Sequence, residues 1–227
     1  MAKSCSTSTI SLNLKTSGAI AVLALLLGGC SNFGGADLNS LYTFLTRNWA
    51  ESGSDVTLQQ AASVPYATIG VRLGSGPQNM MILTGEPNSG QMLWTAAGAA
   101  ITTVDGRIVR TAGLPHNLGG LVIRNKSAGG GAPQEIDEEV DLPDLGLYGI
   151  PIECRDVRAG DETIRILGQD IHTYRIDETC ASRTKALDWS FHNIYWRDPN
   201  GGLVWRSLQH ISPNLDVIEI ETLRPPA

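Results

Sequence analysis

The chain has 227 residues, with 23 acidic and 17 basic side chains and a formal net charge of −6. This acidic balance argues against nucleic acid as a partner and against an electrostatic patch for anionic lipid head groups. The length, the 25 glycines and the 42% of hydrophobic residues are typical of an ordered, turn-rich protein with a well-buried core.

The N-terminal segment has the features of a bacterial lipoprotein signal. Lys3 and Lys15 precede an uncharged, mostly apolar run over residues 18–29. That run is too short to span a bilayer as a helix and fits the apolar core of a secretory signal. Leu27-Gly-Gly-Cys30 resembles the lipobox, whose cysteine becomes the lipid-bearing first residue of the mature protein. The alternative is an ordinary signal peptide that ends near a free cysteine.

This interpretation divides the chain into three parts. Residues 1–29 are predicted to be a signal peptide that is removed, residues 30–36 a lipidated N-terminus with a spacer, and residues 37–227 a single β-rich periplasmic domain. Cys30 is the predicted lipid attachment site, with palmitate among its acyl chains. Several acyl chains hold a protein firmly at a membrane, whereas a single chain binds only marginally.

The other cysteines agree with export. Cys5 lies in the predicted signal, which leaves Cys154 and Cys180 in the mature chain. Two thiols in an oxidising compartment predict one disulfide. The alternative is a pair of buried free thiols.

Two helices are predicted before the strands begin. Apolar residues at helical spacing predict an amphipathic helix over residues 37–51, which packs on its own domain or, alternatively, on a partner. Its stripe consists of Leu38, Leu41, Tyr42, Leu45 and Trp49. Thr57 and Gln60 have the spacing of a capping box, which predicts a short helix that runs to Ser63 and ends before Pro65.

Beyond Pro65 the hydrophobic period changes from 3.6 to 2. Strands are predicted over residues 66–73, 78–84, 91–95, 99–104 and 107–111. Asp105-Gly106 is the strongest hairpin signal, because both turn positions favour residues that adopt positive φ. Strands joined by tight turns are antiparallel, so this half is predicted to be a meander.

The pattern disappears between residues 125 and 145. Because this stretch joins a glycine-rich run to six acids without a base, it is predicted to be a flexible, solvated acidic excursion. The alternative, a divalent cation site, is disfavoured because the spacing of a calcium loop is missing. No metal site is therefore expected.

Strands resume after this excursion. They are predicted over residues 150–158, 163–167, 171–176, 189–197, 203–211 and 217–223, with turns at residues 159–161, 168–170 and 198–202. About ten strands and few helices predict an all-β fold. We expect a curved antiparallel meander sheet or open β-barrel, with a short N-terminal helical segment.

Several pieces of the sequence together resemble the YjbF/GfcB family of lipoproteins, and they occur in the family's order. These pieces are Ala61–Ala67, Val71–Gln78, Asp105–Arg107, Thr111–Pro115 and Trp196–His210. The resemblance implies an outer-membrane lipoprotein that serves exopolysaccharide or group IV capsule production, without enzymatic activity. It also implies export or assembly partners, namely a periplasmic protein and an outer-membrane barrel. Ser31 and Asn32 follow Cys30 where inner-membrane retention usually requires Asp, which favours sorting to the outer membrane.

Aromatic and polar residues on the predicted strands form a candidate surface for polysaccharide. These residues are Trp94, Trp189, Tyr195, Trp196, Arg197, Trp205, Arg206 and Gln209. Aromatic planes suit the apolar face of a sugar ring, and the arginines suit acidic sugars. Since Trp189 and Tyr195 share one strand face and Trp196 takes the other, one face is core and the other is a candidate platform. The favoured alternatives are core packing for the rings and pairing with the sheet's own carboxylates for Arg197, Arg206 and Gln209.

The sequence shows no catalytic constellation, and neither an enzyme nor a cofactor is expected. Ser75 is the only serine between two glycines and lies in a predicted turn, not in a nucleophile elbow. The four histidines lack the spacing of a zinc site. A glycosidase would leave no local signature among 23 acids, which keeps that alternative open.

Two functions from different classes remain. The first is a scaffold or adaptor in polysaccharide export, whose contacts are mainly with protein. The second is a carrier for a lipid or glycolipid, because Asp198–Val204 is similar to the terminal hairpin of periplasmic lipoprotein carriers. A carrier needs an unfilled apolar concave face, whereas a scaffold fills that face with its own side chains.

Overall fold

The computed structural model describes residues 55–86, 88, 90–127, 133–200 and 202–226. The predicted signal peptide, Cys30 and the predicted helix over residues 37–51 lie outside the described residues. Within the described residues, no helix is long and apolar enough to cross a membrane.

The short helix α1 spans Leu58–Ser63 and begins as the sequence predicts. The Thr57 hydroxyl accepts a hydrogen bond from the backbone N–H of Gln60, and the Gln60 side chain accepts one from the backbone N–H of Thr57. Both halves of the capping box are therefore present. Ala61 is the buried residue of this helix.

The described residues form twelve strands in one antiparallel sheet. In chain order these are β1 (Thr68–Leu73), β2 (Gln78–Gly85), β3 (Gln91–Ala96), β4 (Ala99–Val104), β5 (Arg107–Ala112), β6 (Gly120–Lys126), β7 (Gln134–Leu142), β8 (Leu147–Ile166), β9 (Gln169–Ser182), β10 (Ser190–Arg197), β11 (Val204–Gln209) and β12 (Ile218–Arg224). Their order in the sheet is β5-β4-β3-β2-β1-β12-β11-β10-β9-β8-β7-β6. The sheet curls into a nearly closed barrel, which confirms the predicted all-β class.

The two edge strands, β5 and β6, follow each other in the chain and meet along a seam. Near their connection, the backbone N–H of Thr111 donates to the carbonyl oxygen of Leu118 at 2.9 Å. The Leu118 N–H donates in turn to the Thr111 hydroxyl at 2.8 Å. No strand pairing joins the described residues of β5 and β6 farther along. The barrel therefore stays open where these edges separate.

The predicted acidic excursion is wrong for residues 134–142, which form β7. Ile136, Val140 and Leu142 are buried, and the residues between them are at least partly exposed, apart from Glu138. The strand period of 2 is present, but acids fill the outward positions and one inward position. β6 is the other strand that the pattern missed, because most of its residues are exposed and do not alternate.

The predicted turn at residues 159–161 is also wrong. β8 runs through it without a break and pairs with β9 on both sides of a bulge between Arg158 and Gly160. Gly160 has φ of 141°, a conformation that glycine tolerates and that lets the strand bend there. Leu167 and Gly168 then form the tight turn of one long hairpin.

Apolar side chains cover both faces of the sheet in its C-terminal part. The main core fills the barrel interior, and a second cluster on the opposite face contains Ile164, Ile166 and Trp196. Arg206 on β11 donates a hydrogen bond to the carbonyl oxygen of Arg165 on β8 at 2.9 Å. Since β8 and β11 are not neighbours in the sheet, the end of the β8–β9 hairpin folds over the outer face.

The predicted disulfide is present between β8 and β9. Cys154 and Cys180 are directly paired across the two strands, with an S–S distance of 2.00 Å and a Cα–Cα distance of 4.1 Å. Both residues are buried in the barrel core.

Candidate functional site

A buried charged cluster crosses the barrel interior. The Arg107 guanidinium on β5 binds both carboxylate oxygens of Glu178 on β9, with 3.1 Å between Nη1 and Oε2. Its Nη1 also lies 2.7 Å from Oε1 of Glu138 on β7. Glu178 is 0% exposed and Glu138 is 3% exposed. Such buried charges are tolerated because they are paired.

The strand period explains why these polar side chains point inward. Glu138 lies two residues from the buried Ile136 and Val140, and Glu178 lies two residues from Cys180. Successive side chains on a strand alternate between faces, so each acid shares the core face with its apolar neighbours. Arg107 directly follows the Asp105-Gly106 turn, in which both residues have positive φ, 51° and 78°.

Hydrogen bonds from β10 and β11 complete the cluster. The Asn193 amide donates to Oε2 of Glu178 at 2.7 Å, and the Tyr195 hydroxyl lies 3.3 Å from the same oxygen. Gln209 accepts from the backbone N–H of Ile108 at 2.9 Å and donates to the carbonyl oxygen of Gly106 at 2.8 Å. Side chains of β9, β10 and β11 thereby hold the free edge β5 in place.

Two carboxyl groups in and beside the cluster have pKa values raised towards neutrality. Burial raises the pKa of Glu138 to about 7, although the charge of Arg107 opposes this rise. Burial and the nearby charge of Glu178 likewise raise the pKa of Asp156 to about 7. For Glu178 itself, burial favours the neutral form, but the charge of Arg107 prevails and keeps the pKa below its ordinary value. The Asp156 carboxyl also interacts with that of Glu178, which favours the neutral form of Asp156 and the ionised form of Glu178.

A polar cavity of about 230 Å³ lies beside this cluster, and we call it the seam pocket. Its polar lining includes Arg107, Lys126, Gln134, Asp156, Tyr174 and Arg197. Val104 and Asp105 on one side, with Ile123 on the other, place its mouth where the edges β5 and β6 separate. Ile123 is 41% exposed, so the pocket meets solvent there.

A second cavity, of about 270 Å³, is more apolar. Its lining includes Ile69, Met92, Trp94, Val204 and Ile220. Its volume is below the range of about 300–1,000 Å³ that is usual for sites of drug-sized ligands. It is the concave apolar space that a carrier function would require.

The structure divides the predicted surface residues into two groups, with Tyr195 beside Gln209 in the interior and Arg206 beside the Trp196 ring on the opposite face. Trp94, Tyr195 and Gln209 are buried towards the barrel interior, where the Trp94 indole N–H donates to the Thr103 hydroxyl at 3.0 Å. Trp196 takes the opposite face and is 7% exposed, because the β8–β9 hairpin end covers it. Trp94, Tyr195 and Trp196 are therefore buried and do not offer exposed ring faces.

The remaining predicted residues have partners of their own. Trp189 stacks on Phe191 with 4.0 Å between ring centroids, and the Trp205 indole N–H lies 3.4 Å from a carboxylate oxygen of Asp198. Arg197 binds the Asp105 carboxylate at 2.8 Å. Arg206 binds Glu221 through two nitrogens. For both arginines the structure agrees with the favoured alternative, pairing with the sheet's own carboxylates.

Sequence reasoning missed the charged cluster itself. Glu138, Asp156, Glu178 and Asn193 were not singled out, and Arg107 entered only as part of a family motif. One signal was available: Glu138 occupies a position of the Ile136–Leu142 alternation that the period assigns to the core. An acid at such a position predicts a buried partner of opposite charge.

A metal site is not formed at the cysteines. Donor atoms of Cys154, Glu178 and Cys180 lie within 4.8 Å of one another, the one such group of three in the part of the chain that the structure describes. The two sulfur atoms are bonded to each other, so they are not available as thiolate ligands.

The chain matches a known protein family over most of its length. Residues 38–223 match the family model described as group 4 capsule polysaccharide lipoprotein gfcB, YjbF. The chain belongs to this family. It is 25% identical over 213 residues to the uncharacterized lipoprotein GfcB of Escherichia coli strain K12, over 91% of this chain and 97% of the relative. The resemblance seen in the sequence is thereby confirmed.

A solved structure has the same fold. The crystal structure of the hypothetical lipoprotein YmcC from Escherichia coli K12 matches with a TM-score of 0.58 and 21% sequence identity. The match covers 85% of this chain and 98% of that chain. The curled antiparallel sheet is therefore shared with this relative.

Proposed function

We propose that this protein is an outer-membrane lipoprotein that acts as a non-catalytic scaffold or adaptor in the export or assembly of a capsular or extracellular polysaccharide. The description of its family supports the link to capsule polysaccharide. The lipobox supports anchoring through acyl chains on Cys30, with the β-rich body facing the periplasm. Its partners are a periplasmic export protein and an outer-membrane barrel.

The filled barrel interior is the observation that favours a scaffold over a carrier. Arg107, Glu178 and Asn193 cross the interior and satisfy one another, while Tyr195 and Gln209 fill the space beside them. An acyl chain could cross this part of the interior only by separating these buried charges, which is strongly unfavourable. The apolar cavity of about 270 Å³ supports the carrier alternative, but it is small for a lipid.

The geometry of the acids supports a non-catalytic role. Carboxyl groups with raised pKa beside a pocket occur at active sites, but structural ion-pair networks produce them as well. A glycosidase needs two carboxyl groups that face its substrate. Here Glu138 and Glu178 both face Arg107, which leaves neither free to act on a glycosidic bond.

Deletion of the gene and complementation test this function. We expect loss of surface or secreted polysaccharide on deletion and recovery with the wild-type gene. Cys30→Ser should remain unlabelled by palmitate, leave the membrane fraction and fail to restore the polymer. Cys5→Ser is the matched control, because this cysteine lies in the predicted signal and should be dispensable. Unchanged polysaccharide after deletion would refute the proposal.

Native mass spectrometry distinguishes the scaffold from the carrier. The Cys30→Ser protein is recovered from the periplasm without detergent and examined for bound lipid. If the protein is a scaffold, we expect its mass to equal that of the polypeptide without bound lipid. A lipid-sized adduct that persists through purification would instead support the carrier function.

A further inference from the structure

The seam pocket has features that the scaffold role does not require. It lies where β5 and β6 separate, and the exposed Ile123 and Lys126 stand at its mouth. Its volume of about 230 Å³ corresponds to the volume that roughly eight water molecules occupy in liquid water. A pocket of this size suits one small polar ligand or one unit of a longer polymer.

Lys126 is the charge at this pocket that no ion pair compensates. Arg107 is held between Glu138 and Glu178, and Arg197 is paired with Asp105. Lys126 is exposed and forms no direct ion pair in the described part of the chain, although its charge acts on Glu138 and Asp156. One uncompensated cation favours a ligand with a single negative charge.

Asp156 supplies an unused hydrogen-bonding group inside the pocket. Its Oδ1 atom is buried and has no hydrogen-bond partner. A buried polar atom without a partner costs free energy that a ligand hydroxyl would recover. The Gln134 amide and the Tyr174 ring lie on the same lining and offer a further polar group and an aromatic edge.

We propose that the seam pocket binds one hexuronate unit of an acidic polysaccharide, with its carboxylate at Lys126 and a hydroxyl group at Asp156. This inference rests on the proposed function, from which it takes the polysaccharide. A hexuronate combines the single negative charge and the hydroxyl groups that the pocket can satisfy. A phosphate dianion fits less well, because Asp105 and Asp156 line the same pocket as Lys126 and would repel a second negative charge.

Binding is expected to depend on pH through Asp156. Glu178 on β9, Glu138 on β7, Arg107 on β5, Lys126 on β6 and Tyr195 on β10 form its charged and titratable surroundings. Burial raises the pKa of Asp156 to about 7. A bound carboxylate favours the neutral acid, so affinity should fall as the pH rises from 6 to 8. One linked proton limits this change to about tenfold.

The test measures binding to the full mature lipoprotein in detergent micelles by saturation-transfer NMR titration. The probes are D-glucuronate and D-galacturonate, with methyl glucoside as the neutral control and glycerol 3-phosphate as the head-group control. At least one uronate is expected to bind with a dissociation constant near the millimolar range, and more tightly at pH 6 than at pH 8. Methyl glucoside and glycerol 3-phosphate should bind at least fivefold more weakly.

Two variants locate the site. Lys126→Gln should weaken uronate binding at least fivefold, whereas Lys185→Gln, at an exposed lysine outside the pocket, should leave it unchanged. Asp156→Asn should reduce the pH dependence between pH 6 and 8, and Glu138, whose pKa is also about 7, accounts for the remainder. Because Lys126 is exposed, its variant is expected to fold, and an unchanged melting temperature verifies this.

Absence of saturable uronate binding, equal binding by Lys126→Gln, or preference for glycerol 3-phosphate would overturn the proposal. The two proposals fail separately. Polysaccharide unchanged by gene deletion refutes the scaffold role whatever the titration shows. Loss of polysaccharide without uronate binding refutes only the pocket's ligand.

Discussion

Arg107 on β5 and Glu178 on β9 form an ion pair across the inside of the barrel, although seven strands separate them in the sheet order. β5 is an edge strand that pairs with only one neighbour. The ion pair and the bonds of Gln209 attach this edge to the opposite wall. The cluster therefore fixes the curvature of the sheet as well as burying charge.

Removing one member of this pair should strongly destabilise the fold. Glu178→Gln leaves the buried Arg107 with fewer compensating charges, and we expect the free energy of unfolding to fall by about 3–5 kcal/mol. Urea denaturation measures the change. Glu139→Gln is the control, since its ion pair with Arg124 is exposed and should contribute no more than about 1 kcal/mol. Similar small losses in both variants would contradict a structural role for the cluster.

Stability should decrease as the pH rises through neutrality. Burial raises the pKa of Glu138 from 4.5 to about 7 and that of Asp156 from 3.8 to about 7. The folded state therefore binds more protons than the unfolded state in this range, and its advantage is lost as both acids ionise. The lowered pKa of Glu178 acts in the opposite direction, but only at more acidic pH.

Melting temperatures between pH 5 and pH 8 measure this effect. The slope should not exceed about 1.4 kcal/mol per pH unit for each acid. Glu138→Gln should flatten the profile, whereas Glu86→Gln, at an exposed loop position, should leave it unchanged. A wild-type profile that rises from pH 5 to pH 8 would show that other groups dominate.

The disulfide should contribute measurably to stability. Cys154 and Cys180 are 26 residues apart, and closing such a loop is worth about 3–4 kcal/mol in the chain-entropy model. Reductant should lower the unfolding free energy of the wild type by that amount. The Cys154→Ala/Cys180→Ala variant should be equally destabilised without reductant and insensitive to its addition. Two reactive thiols in the denatured, unreduced protein would exclude the bridge.

Gly113 should tolerate substitution much less than Gly168. Both glycines have φ of 78°, so alanine costs similar backbone strain at either position, about 1 kcal/mol. A Cβ at Gly113 would lie 2.0 Å from the carbonyl oxygen of Gly98, whereas nothing lies within 4 Å of one at Gly168. Gly113→Ala should therefore lower the melting temperature well beyond the effect of Gly168→Ala. Equal effects would mean that only backbone strain, and not the close approach to Gly98, matters at Gly113.

Local signals made much of the fold predictable. The capping box of Thr57 and Gln60 and the Asp105-Gly106 hairpin depend on neighbouring residues, and both are present. Eight of the predicted strands begin and end within two residues of the observed ones. β7 was missed because acids occupy its outward positions and one inward position, that of Glu138. The alternation of apolar and polar residues is therefore interrupted in the middle of the strand. The glycine and aspartate at residues 160–161 are typical of a turn but lie at a bulge. The prediction therefore divided β8 into two strands.

The candidate site depends on contacts that no local pattern contains. Arg107 and Glu178 are 71 positions apart in the chain, and only the curl of the sheet brings them together. The burial of the predicted surface residue Trp196 has a related cause. The alternation of side chains along a strand correctly places Tyr195 and Trp196 on opposite faces. Whether Trp196 is covered, however, depends on how the distant end of the β8–β9 hairpin folds.

The pairing of β1 with β12 has a consequence for biogenesis. Val71 is paired with Ile220, so the first strand acquires this neighbour only when nearly the whole polypeptide is present. Such distant pairing is slow to form. A chain emerging from the ribosome therefore cannot complete its native sheet early, which agrees with the export in an unfolded form that the proposed function requires.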